Sequence, residues 1–365
     1  MPGKSTGAIR FLALTGDWEL AGWHTLTAPK GGELGGYFYH HALLRDMDGD
    51  GDLDILTARA TKPLFGAEGA EMLWLEHPGA NPFAGPWTEH SLASGPNSPG
   101  VFFDTHDFDG DGCMEIVYAD FFGGPGFSML SVPKSPGSRG LRGAAAAEQS
   151  FTTTTATDED SAASCWGSAD NSTVVRTLID PSIGTAFGLQ LTDLNGDGQL
   201  DVLVTNHVNN DTLSGVYAYE PPSDAASLTD PSAWTRHDLY VGFKTIEQGI
   251  GQASPGRAAV FWPSISAQAA AAVPAAASGS VGAGAVPPLG SGKPSVSVAG
   301  DGAEGVYVLE PNSADAGDWG YTLHQVGTCA GTAGWQSIRY DAAGSARLYF
   351  PCYEKGLVLD FSYGQ

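Results

Sequence analysis

Three acidic loops of nearly identical sequence recur along the chain, and they restrict its possible folds more than any other feature. They occupy residues 46–54 (DMDGDGDLD), 107–115 (DFDGDGCME) and 193–201 (DLNGDGQLD). Each loop lies between two apolar segments, and the segment that follows it is rich in β-branched residues. This arrangement predicts a strand, a tight acidic turn and a second strand. Because the unit occurs three times, we expect a repeat architecture.

A second pattern follows the loops and extends each unit. An apolar strand ends in a glutamate, and the next strand begins near a tryptophan and carries a histidine. The sets of glutamate, tryptophan and histidine are Glu76, Trp87 and His90; Glu220, Trp234 and His237; and Glu310, Trp319 and His324. Four strands per unit, recurring at intervals of about 60 residues, are typical of propeller blades.

Two further modules lack a complete acidic loop. Residues 258–263 and 294–299 supply the first two strands of a fourth module, and residues 336–340 and 347–350 supply those of a fifth. The N-terminus adds a third and a fourth strand, and the C-terminus ends after a third. Closing a ring with the last N-terminal strand leaves one strand over, so five and six blades both remain open. A chain lacking two N-terminal strands and a signal peptide would explain the surplus.

The predicted fold class is all-β, a single β-propeller domain over residues 1–365 with four-stranded antiparallel blades. The 50 glycines and 23 prolines agree with an all-β chain that is rich in turns. Residues 136–172 and 265–292 are low-complexity insertions rich in Ala, Gly, Ser and Thr. Such segments bury too little apolar surface to offset their ordering entropy, so we expect disordered loops there.

The loops have the chemistry of a calcium site. Ca²⁺ takes six to eight oxygen ligands in a flexible geometry. Loop positions one, three, five and nine offer side-chain oxygens, position seven offers a backbone carbonyl, and the glycines at four and six permit positive φ angles. The predicted ligands are Asp46, Asp48, Asp50, Asp52 and Asp54; Asp107, Asp109, Asp111, Cys113 and Glu115; and Asp193, Asn195, Asp197, Gln199 and Asp201. Calcium is not expected in the fourth and fifth modules.

The EF-hand is the rival calcium motif because it begins with a similar acidic run. It requires a bidentate glutamate at position twelve and a helix on each side. Position twelve is Thr57, Tyr118 and Val204 in the three loops, and β-branched residues follow the loops directly. The EF-hand is therefore excluded.

The loops resemble the FG-GAP/VCBS repeats of integrin α-chain propellers and of many secreted microbial proteins. Residues 73–78, 216–220 with 234–237, and 299–302 resemble, more narrowly, a group of largely uncharacterised FG-GAP-like proteins. The resemblance implies a propeller of seven or fewer blades that holds structural calcium. It implies no known activity.

Charge and cysteine content restrict partners and compartment. A net charge of −24 argues against nucleic acid, and no stretch approaches the ~18 apolar residues of a membrane span. Cys329 and Cys352 could meet across neighbouring strands, as a disulfide or as two buried thiols. The compartment stays open, extracellular if a signal peptide is missing from this sequence and otherwise intracellular. We expect a monomer.

Histidines are the obvious candidates for catalysis. His90, His237 and His324, with His24, recur at one strand position and are interpreted as structural hydrogen-bonding groups. His40, His41, His106 and His207 are not repeated; we interpret them as structural too, although any could line a blade end. No common nucleophile, phosphate-loop or zinc-protease motif is present.

The sequence thus leaves two functions in competition. The first is a non-enzymatic calcium-binding propeller that acts as a recognition or scaffold module for an unknown protein or carbohydrate. The alternative is a sugar-processing lyase- or dehydratase-like enzyme, because the loops also resemble those of aldos-2-ulose dehydratase. A cluster of non-repeated His, Asp and Arg on one face would favour the enzyme.

Overall fold

The architecture follows from a computed structural model. It describes residues 7–17, 19–27, 36–61, 69–95, 98–122, 124–133, 165–170, 172–246, 253–266, 292–329 and 336–363.

Over these residues the chain forms 21 β-strands in six sheets. The first sheet holds β1 (Arg10–Leu14) and β2 (Leu20–Thr25). The next two hold β3 (Phe38–Arg45), β4 (Asp54–Thr61), β5 (Gly69–Glu76) and β6 (Thr88–Gly95), then β7 (Phe103–His106), β8 (Glu115–Ala119), β9 (Phe127–Ser131) and β10 (Val175–Asp180). Two more hold β11 (Ala186–Thr192), β12 (Asp201–Asn206), β13 (Gly215–Glu220) and β14 (Thr235–Val241), then β15 (Ala258–Phe261), β16 (Ser295–Ala299), β17 (Gly305–Pro311) and β18 (Tyr321–Thr328). The last holds β19 (Ser337–Tyr340), β20 (Ala346–Cys352) and β21 (Leu357–Ser362).

The strand order confirms the all-β class and the four-stranded module. Within every sheet the strands lie side by side in chain order. The N-terminal, central and C-terminal sheets hold two, four and three strands, as the sequence predicts. Four short 3-10 turns are the only helical elements among the described residues. Closure into a propeller and the number of blades stay predictions.

Each predicted insertion falls between two strands of one module. The first separates β9 from β10, and the second separates β15 from β16. Most of each, residues 136–164 and 267–291, lies outside the described residues. Cys165 is the first described residue after the first insertion, and the next residue, Trp166, is fully buried. Folded chain therefore begins again before residue 172, the predicted end of the insertion.

Contacts divide the chain into two compact units, whereas the sequence predicts one domain over residues 1–365, which stays a prediction. The first unit comprises residues 1–124 and 128–177, and the second comprises 125–127 and 178–365. The main core of the first unit gathers apolar side chains from the sheets of β3–β6 and β7–β10, with Trp74, Tyr118 and Trp166 among the largest. A smaller cluster there packs Ile9 and Phe11 against Leu73, Leu75 and Trp87.

The second unit has two buried clusters. One joins β12, β13, β16 and β17 through residues such as Val216, Val296 and Leu309. The other surrounds the C-terminal sheet and includes Phe261 and Phe350. Strands β8, β12 and β16 are buried along their whole length, so both faces of each strand are covered. The described residues contain no helix with the length and apolarity that a membrane crossing requires.

All four cysteines form disulfides. Cys329 and Cys352 are bonded, with Cα atoms 5.5 Å apart, which decides between the two alternatives in the sequence. Cys113 and Cys165 are bonded as well, with Cα atoms 5.9 Å apart. The sequence did not predict this second bond, because Cys165 lies inside the segment taken as a disordered insertion.

A buried arginine on β4 bonds to side chains on the other three strands of the sheet β3–β6. The guanidinium of Arg59 on β4 contacts Glu71 Oε2 at 2.6 Å and Glu89 Oε2 at 2.9 Å. It also donates to the hydroxyl of Tyr39 and lies 4.3 Å from the centre of the Tyr37 ring. The Arg59 side chain is 2 % exposed, so its charge depends on these partners rather than on water.

Replacing Arg59 with alanine leaves two mostly buried carboxylates without their counter-ion. We expect Arg59→Ala to lower the free energy of unfolding by about 3–5 kcal/mol. The control is Arg347→Ala, because the Arg347–Asp360 pair is about 40 % exposed and should contribute about 1 kcal/mol or less. Urea unfolding at constant calcium measures both. Equal losses in the two variants would contradict the role given to Arg59.

Candidate metal centres

The first acidic loop winds around its own carboxylates. Both oxygens of Asp46 accept backbone N–H groups, from Gly49 at 2.8 Å and from Gly51 at 3.0 Å. Further along, Asp48 Oδ1 accepts the N–H of Asp50 at 3.1 Å. These bonds turn the chain sharply and place successive acids on the inside of the turn. The loop is therefore ordered by its acidic side chains.

The other two loops wind in a similar way, although the first acid of the second loop accepts from position five where that of the first loop accepts from position four. Asp107 accepts from Asp111 and Gly112, and Asp193 accepts from Gly196 and Gly198. At position three, the side chains of Asp109 and Asn195 each accept the N–H two residues ahead. At position five, the side chains of Asp50, Asp111 and Asp197 each accept the N–H of position seven, at 2.7–2.8 Å.

Glycines at positions four and six make the winding possible. Their φ angles are 81° and 91° in the first loop, 67° and 86° in the second, and 82° and 87° in the third. This region is open to glycine at little cost and is strained for most other residues. The predicted reason for the paired glycines is thereby confirmed.

The acids of two loops converge closely enough to share one ion. In the first loop, carboxylate oxygens of Asp46, Asp48 and Asp50 all lie within 4.8 Å of one another. In the second, Asp107, Asp109 and Glu115 do so. The third loop carries Asn195 at position three, and its amide nitrogen lies 3.0 Å from Asp197 Oδ2. The third loop nonetheless offers side-chain oxygen atoms at the same loop positions as the first two loops.

The acids at position nine are almost fully buried and hold the start of their loop. Oxygens of Asp54, Glu115 and Asp201 accept the N–H of position two at 2.8–3.0 Å. Asp54 also accepts the N–H of His77 at 2.8 Å, so that both of its oxygens are engaged. The acid predicted as a ligand at position nine thus ties the loop to the first residue of the following strand.

The electrostatics of the loops favour a neutralising partner. Burial, and then repulsion by neighbouring carboxylates, raises the pKa of Glu115 to about 9 and that of Asp201 to about 8. The same two causes raise the pKa of Asp54 and of Asp109 to about 6. A bound cation would act in the opposite direction, since it stabilises the charged form. The donor set consists of hard oxygen atoms, which suit a cation such as calcium or magnesium.

The residues at position seven have side chains with other contacts. Asp52 Oδ2 lies 3.2 Å from His77 Nδ1, and Cys113 is held in its disulfide. Only the backbone carbonyls of Asp52, Cys113 and Gln199 were predicted as ligands, so these side-chain contacts agree with that role. The sulfur of Cys113 is not a ligand, because it is bonded to Cys165.

Sequence reasoning missed two glutamates beside the loops. Glu220 at the end of β13 places Oε1 3.4 Å from the amide nitrogen of Asn195. Glu76 at the end of β5 is close enough for its charge to act on Asp48. The signal was present in the repeat, because both are the glutamates that end a third strand.

Three of the four recurring histidines pair with the glutamate that ends the third strand of their module. His90 pairs with Glu76 at 2.7 Å, His237 with Glu220 at 2.6 Å and His324 with Glu310 at 3.0 Å, each across neighbouring strands. The ring of His90 stacks on Trp74 and that of His237 on Trp319. The pair of His324 and Glu310 occurs in the module without an acidic loop, so the pairs do not depend on the loops. His24 instead packs against Phe83.

The non-repeated histidines have separate surroundings. His40 Nδ1 lies 2.9 Å from the carbonyl oxygen of Gly100, and burial lowers the pKa of His40 and of His106. His41 packs against Phe103. His207 differs, because its Nε2 lies 2.7 Å from Asp301 Oδ2 and both side chains are 10 % exposed. Asp301 adopts a φ of 45°, which is uncommon for a residue other than glycine.

The comparison with protein families finds one match. Residues 46–118 match a family described as FG-GAP-like repeat. The match begins at the first acidic loop and ends just after the second. The chain therefore contains an FG-GAP-like repeat, as its sequence predicts. None of the curated proteins matches the sequence significantly.

Solved structures give only distant similarities. Rhamnogalacturonan lyase YesW is 11 % identical with a TM-score of 0.33, and the alignment covers 99 % of this chain and 68 % of that one. The rhamnogalacturonan lyase PL11 of Bacillus licheniformis is 12 % identical with a TM-score of 0.33, covering 99 % and 60 %. The exotype lyase YesX is 11 % identical with a TM-score of 0.29, covering 99 % and 68 %.

Glu115 gives the loops a testable pH dependence when no divalent cation is present. Its pKa of about 9 lies above the unfolded value, so the folded protein binds the proton more tightly. This contribution to stability is complete below about pH 4.5 and is lost as the pH rises toward 9. In chelator at pH 8, we expect Glu115→Gln to be more stable than the parent by on the order of 2 kcal/mol.

Urea unfolding in EDTA at several pH values measures this difference. The matched control is Glu19→Gln, which removes one charge from an exposed glutamate outside the acidic loops and should leave the pH profile unchanged. A Glu115→Gln profile parallel to that of the parent would show that Glu115 is not held at a raised pKa.

Proposed function

We propose that this chain, which carries an FG-GAP-like repeat at residues 46–118, is a calcium-binding propeller module with structural calcium in three loops. The observation that carries the proposal is the closely similar winding of the loops in three separate modules. Each puts oxygen donors at positions one, three and five on the inside of a turn closed by positive-φ glycines. Side-chain hydrogen bonds alone would not require the acids to be so crowded.

The residues present fit the ion. Asp46, Asp48, Asp50 and Asp54 would hold it in the first loop, with the carbonyl of Asp52. Their counterparts would do so in the second loop (Asp107, Asp109, Asp111 and Glu115, with the carbonyl of Cys113) and in the third (Asp193, Asn195, Asp197 and Asp201, with the carbonyl of Gln199). When bound, calcium supplies positive charge that offsets the mutual repulsion of these carboxylates.

The role of the ion would be to join two strands of a module. Each acidic loop connects a first strand to a second one: β3 to β4, β7 to β8 and β11 to β12. The acid at position nine begins the second strand in each case. Ordering the loop therefore fixes the pairing of the two strands, which is a contribution to stability rather than to chemistry.

We assign the module a role in recognition or as a scaffold, outside the cell. Two disulfides among the described residues are typical of proteins from oxidising compartments. Loops at the ends of rigid sheets can vary in sequence without disturbing the core, which is how repeat folds commonly bind partners. The ligand would be a protein or a carbohydrate, and the repeated acidic loops would support that surface without touching the ligand.

A second candidate function is catalysis, because one specific observation favours it. His207 directly follows β12, whose other end carries the acidic loop, and Asp301 precedes β17 in the next module. Their 2.7 Å contact is not repeated in the other modules among the described residues. A histidine held by a carboxylate is an arrangement that general bases use. The candidate reaction is a sugar elimination, in which a base removes the proton beside a carbonyl group.

The calcium proposal predicts a large effect of chelation on stability. We expect EDTA to lower the melting temperature, and calcium at 100 times its dissociation constant to restore about 2.7 kcal/mol per loop. Asp46→Asn with Asp50→Asn should reduce the number of bound calcium ions from three to two in calorimetric titration. The control Asp230→Asn alters an exposed turn acid outside the loops and should change neither quantity. An unchanged melting curve in EDTA would refute structural calcium.

Catalysis is tested separately with calcium present throughout. The parent is incubated with a panel of uronic-acid polysaccharides, and unsaturated products are followed by ultraviolet absorption. If the chain is an enzyme, His207→Gln should abolish product formation while the melting temperature stays within a few degrees. The control His324→Gln removes a histidine of a repeated pair and should retain activity. No product from the calcium-loaded parent would leave recognition as the sole proposed function.

A further inference from the structure

Residues 165–167 lie between the two acidic loops of the first unit. This short segment, Cys165, Trp166 and Gly167, contains the first residues that the structure describes after residue 133. It follows the first insertion in the chain and precedes β10. Each of its three residues makes a different kind of contact with a loop, and together they reach both loops.

Two of these contacts hold the second loop. The disulfide between Cys165 and Cys113 attaches the segment covalently to loop position seven. The indole Nε1 of Trp166 donates a hydrogen bond of 2.9 Å to the carbonyl oxygen of Met114, at position eight. Position seven is where the loop offers its backbone carbonyl, so the segment restrains the part of the loop that has no side-chain ligand.

The third contact holds the first loop. A Cβ atom placed on Gly167 would lie 2.9 Å from Cβ and 3.0 Å from Cα of Asp48. Real Cβ atoms essentially never approach other atoms so closely, so glycine lets the segment lie directly against position three of the loop. The carboxylate of Asp48 is one of the three that converge in this loop.

The core beneath the segment is shared by both loops. Trp166 is fully buried in the same cluster as Met47, at position two of the first loop, and Ile116, which directly follows the second loop. A packed core transmits displacement because it contains little empty volume. A shift of Trp166 would therefore displace residues at both loops.

We propose that segment 165–167 couples the two loops, so that calcium binding in one raises the affinity of the other. The inference rests on the proposed calcium function. A loop ordered around its ion fixes the position of the segment, and the fixed segment in turn restrains the second loop before its own ion arrives. The second ion then meets a loop that has already lost much of its conformational freedom, which is positive cooperativity.

The third loop provides a reference within the same molecule. The third loop contains no cysteine. The two disulfides join Cys113 to Cys165 and Cys329 to Cys352, and no cysteine among the described residues is free. The third loop therefore has no covalent attachment of this kind. It should bind calcium independently of residues 165–167.

The experiment measures the calcium affinity of one loop with the other intact or disabled. Asp107→Asn with Asp111→Asn disables the second loop, and Asp46→Asn with Asp50→Asn disables the first. In a background lacking the third loop's acids (Asp193→Asn with Asp197→Asn), calorimetry then gives each affinity alone and together. We expect each loop to bind at least about fivefold more tightly when the other is filled, the low end of typical coupling.

Two variants of the segment should reduce that factor to about one. Cys113→Ser with Cys165→Ser removes the attachment to the second loop but keeps the backbone carbonyl of position seven. Gly167→Ala forces the segment away from Asp48. The controls are Cys329→Ser with Cys352→Ser, and Gly16→Ala, where no atom lies within 4 Å of the added Cβ. Both controls should retain the coupling factor of the parent.

The outcomes separate this inference from the function on which it rests. Binding of calcium to both loops with the same affinity alone and together would overturn the coupling and leave structural calcium intact. Coupling that persists in both segment variants would overturn the role of residues 165–167. Absence of calcium binding to any loop would overturn the proposed function itself. Far-ultraviolet circular dichroism in saturating calcium shows that each variant is folded.

Discussion

The structure depends on the crowding of carboxylates at the turn between the first two strands of a module. A turn that folds back within nine residues needs partners for its inward N–H groups, and the acids at positions one, three and five provide them. The same side chains repel one another, and burial makes it costlier still to keep the acid at position nine charged. Hydrogen bonding and repulsion thus act in opposite directions on the same atoms. A bound cation would keep the hydrogen bonds and remove the repulsion between the carboxylates.

The modules show how strand pairing is secured where this device is absent. The fourth module lacks the acidic loop, yet β15 to β18 form a sheet of the same order as the others. There the glutamate and histidine of the third and fourth strands, Glu310 and His324, remain paired. In the second module the glutamate is absent and a disulfide reaches the loop instead. Different modules therefore use different local bonds to stabilise sheets of the same strand order.

The strands and the acidic turns could be predicted from the sequence, and the reason is physical. Strands and acidic turns depend on neighbouring residues, and a repeat displays each dependence several times. A hydrogen-bonding role for the repeated histidines could be predicted in the same way because their spacing recurs, but their glutamate partners were not predicted. The contact of Gly167 with Asp48 and the bond of Cys113 to Cys165 were not, because each occurs once and joins residues far apart in the chain. The close approach of His207 to Asp301 belongs to the same class.

The disulfide from Cys113 to Cys165 has a consequence for the integrity of the polypeptide. It spans the first insertion, so the residues on either side of that insertion are joined by a second covalent path. A backbone cut anywhere from residue 134 to residue 164 would therefore leave one molecule rather than two fragments. Such a nicked chain would migrate as a single band until it was reduced. The insertion can thus be lost to proteolysis while β10 stays attached to the sheet that it completes.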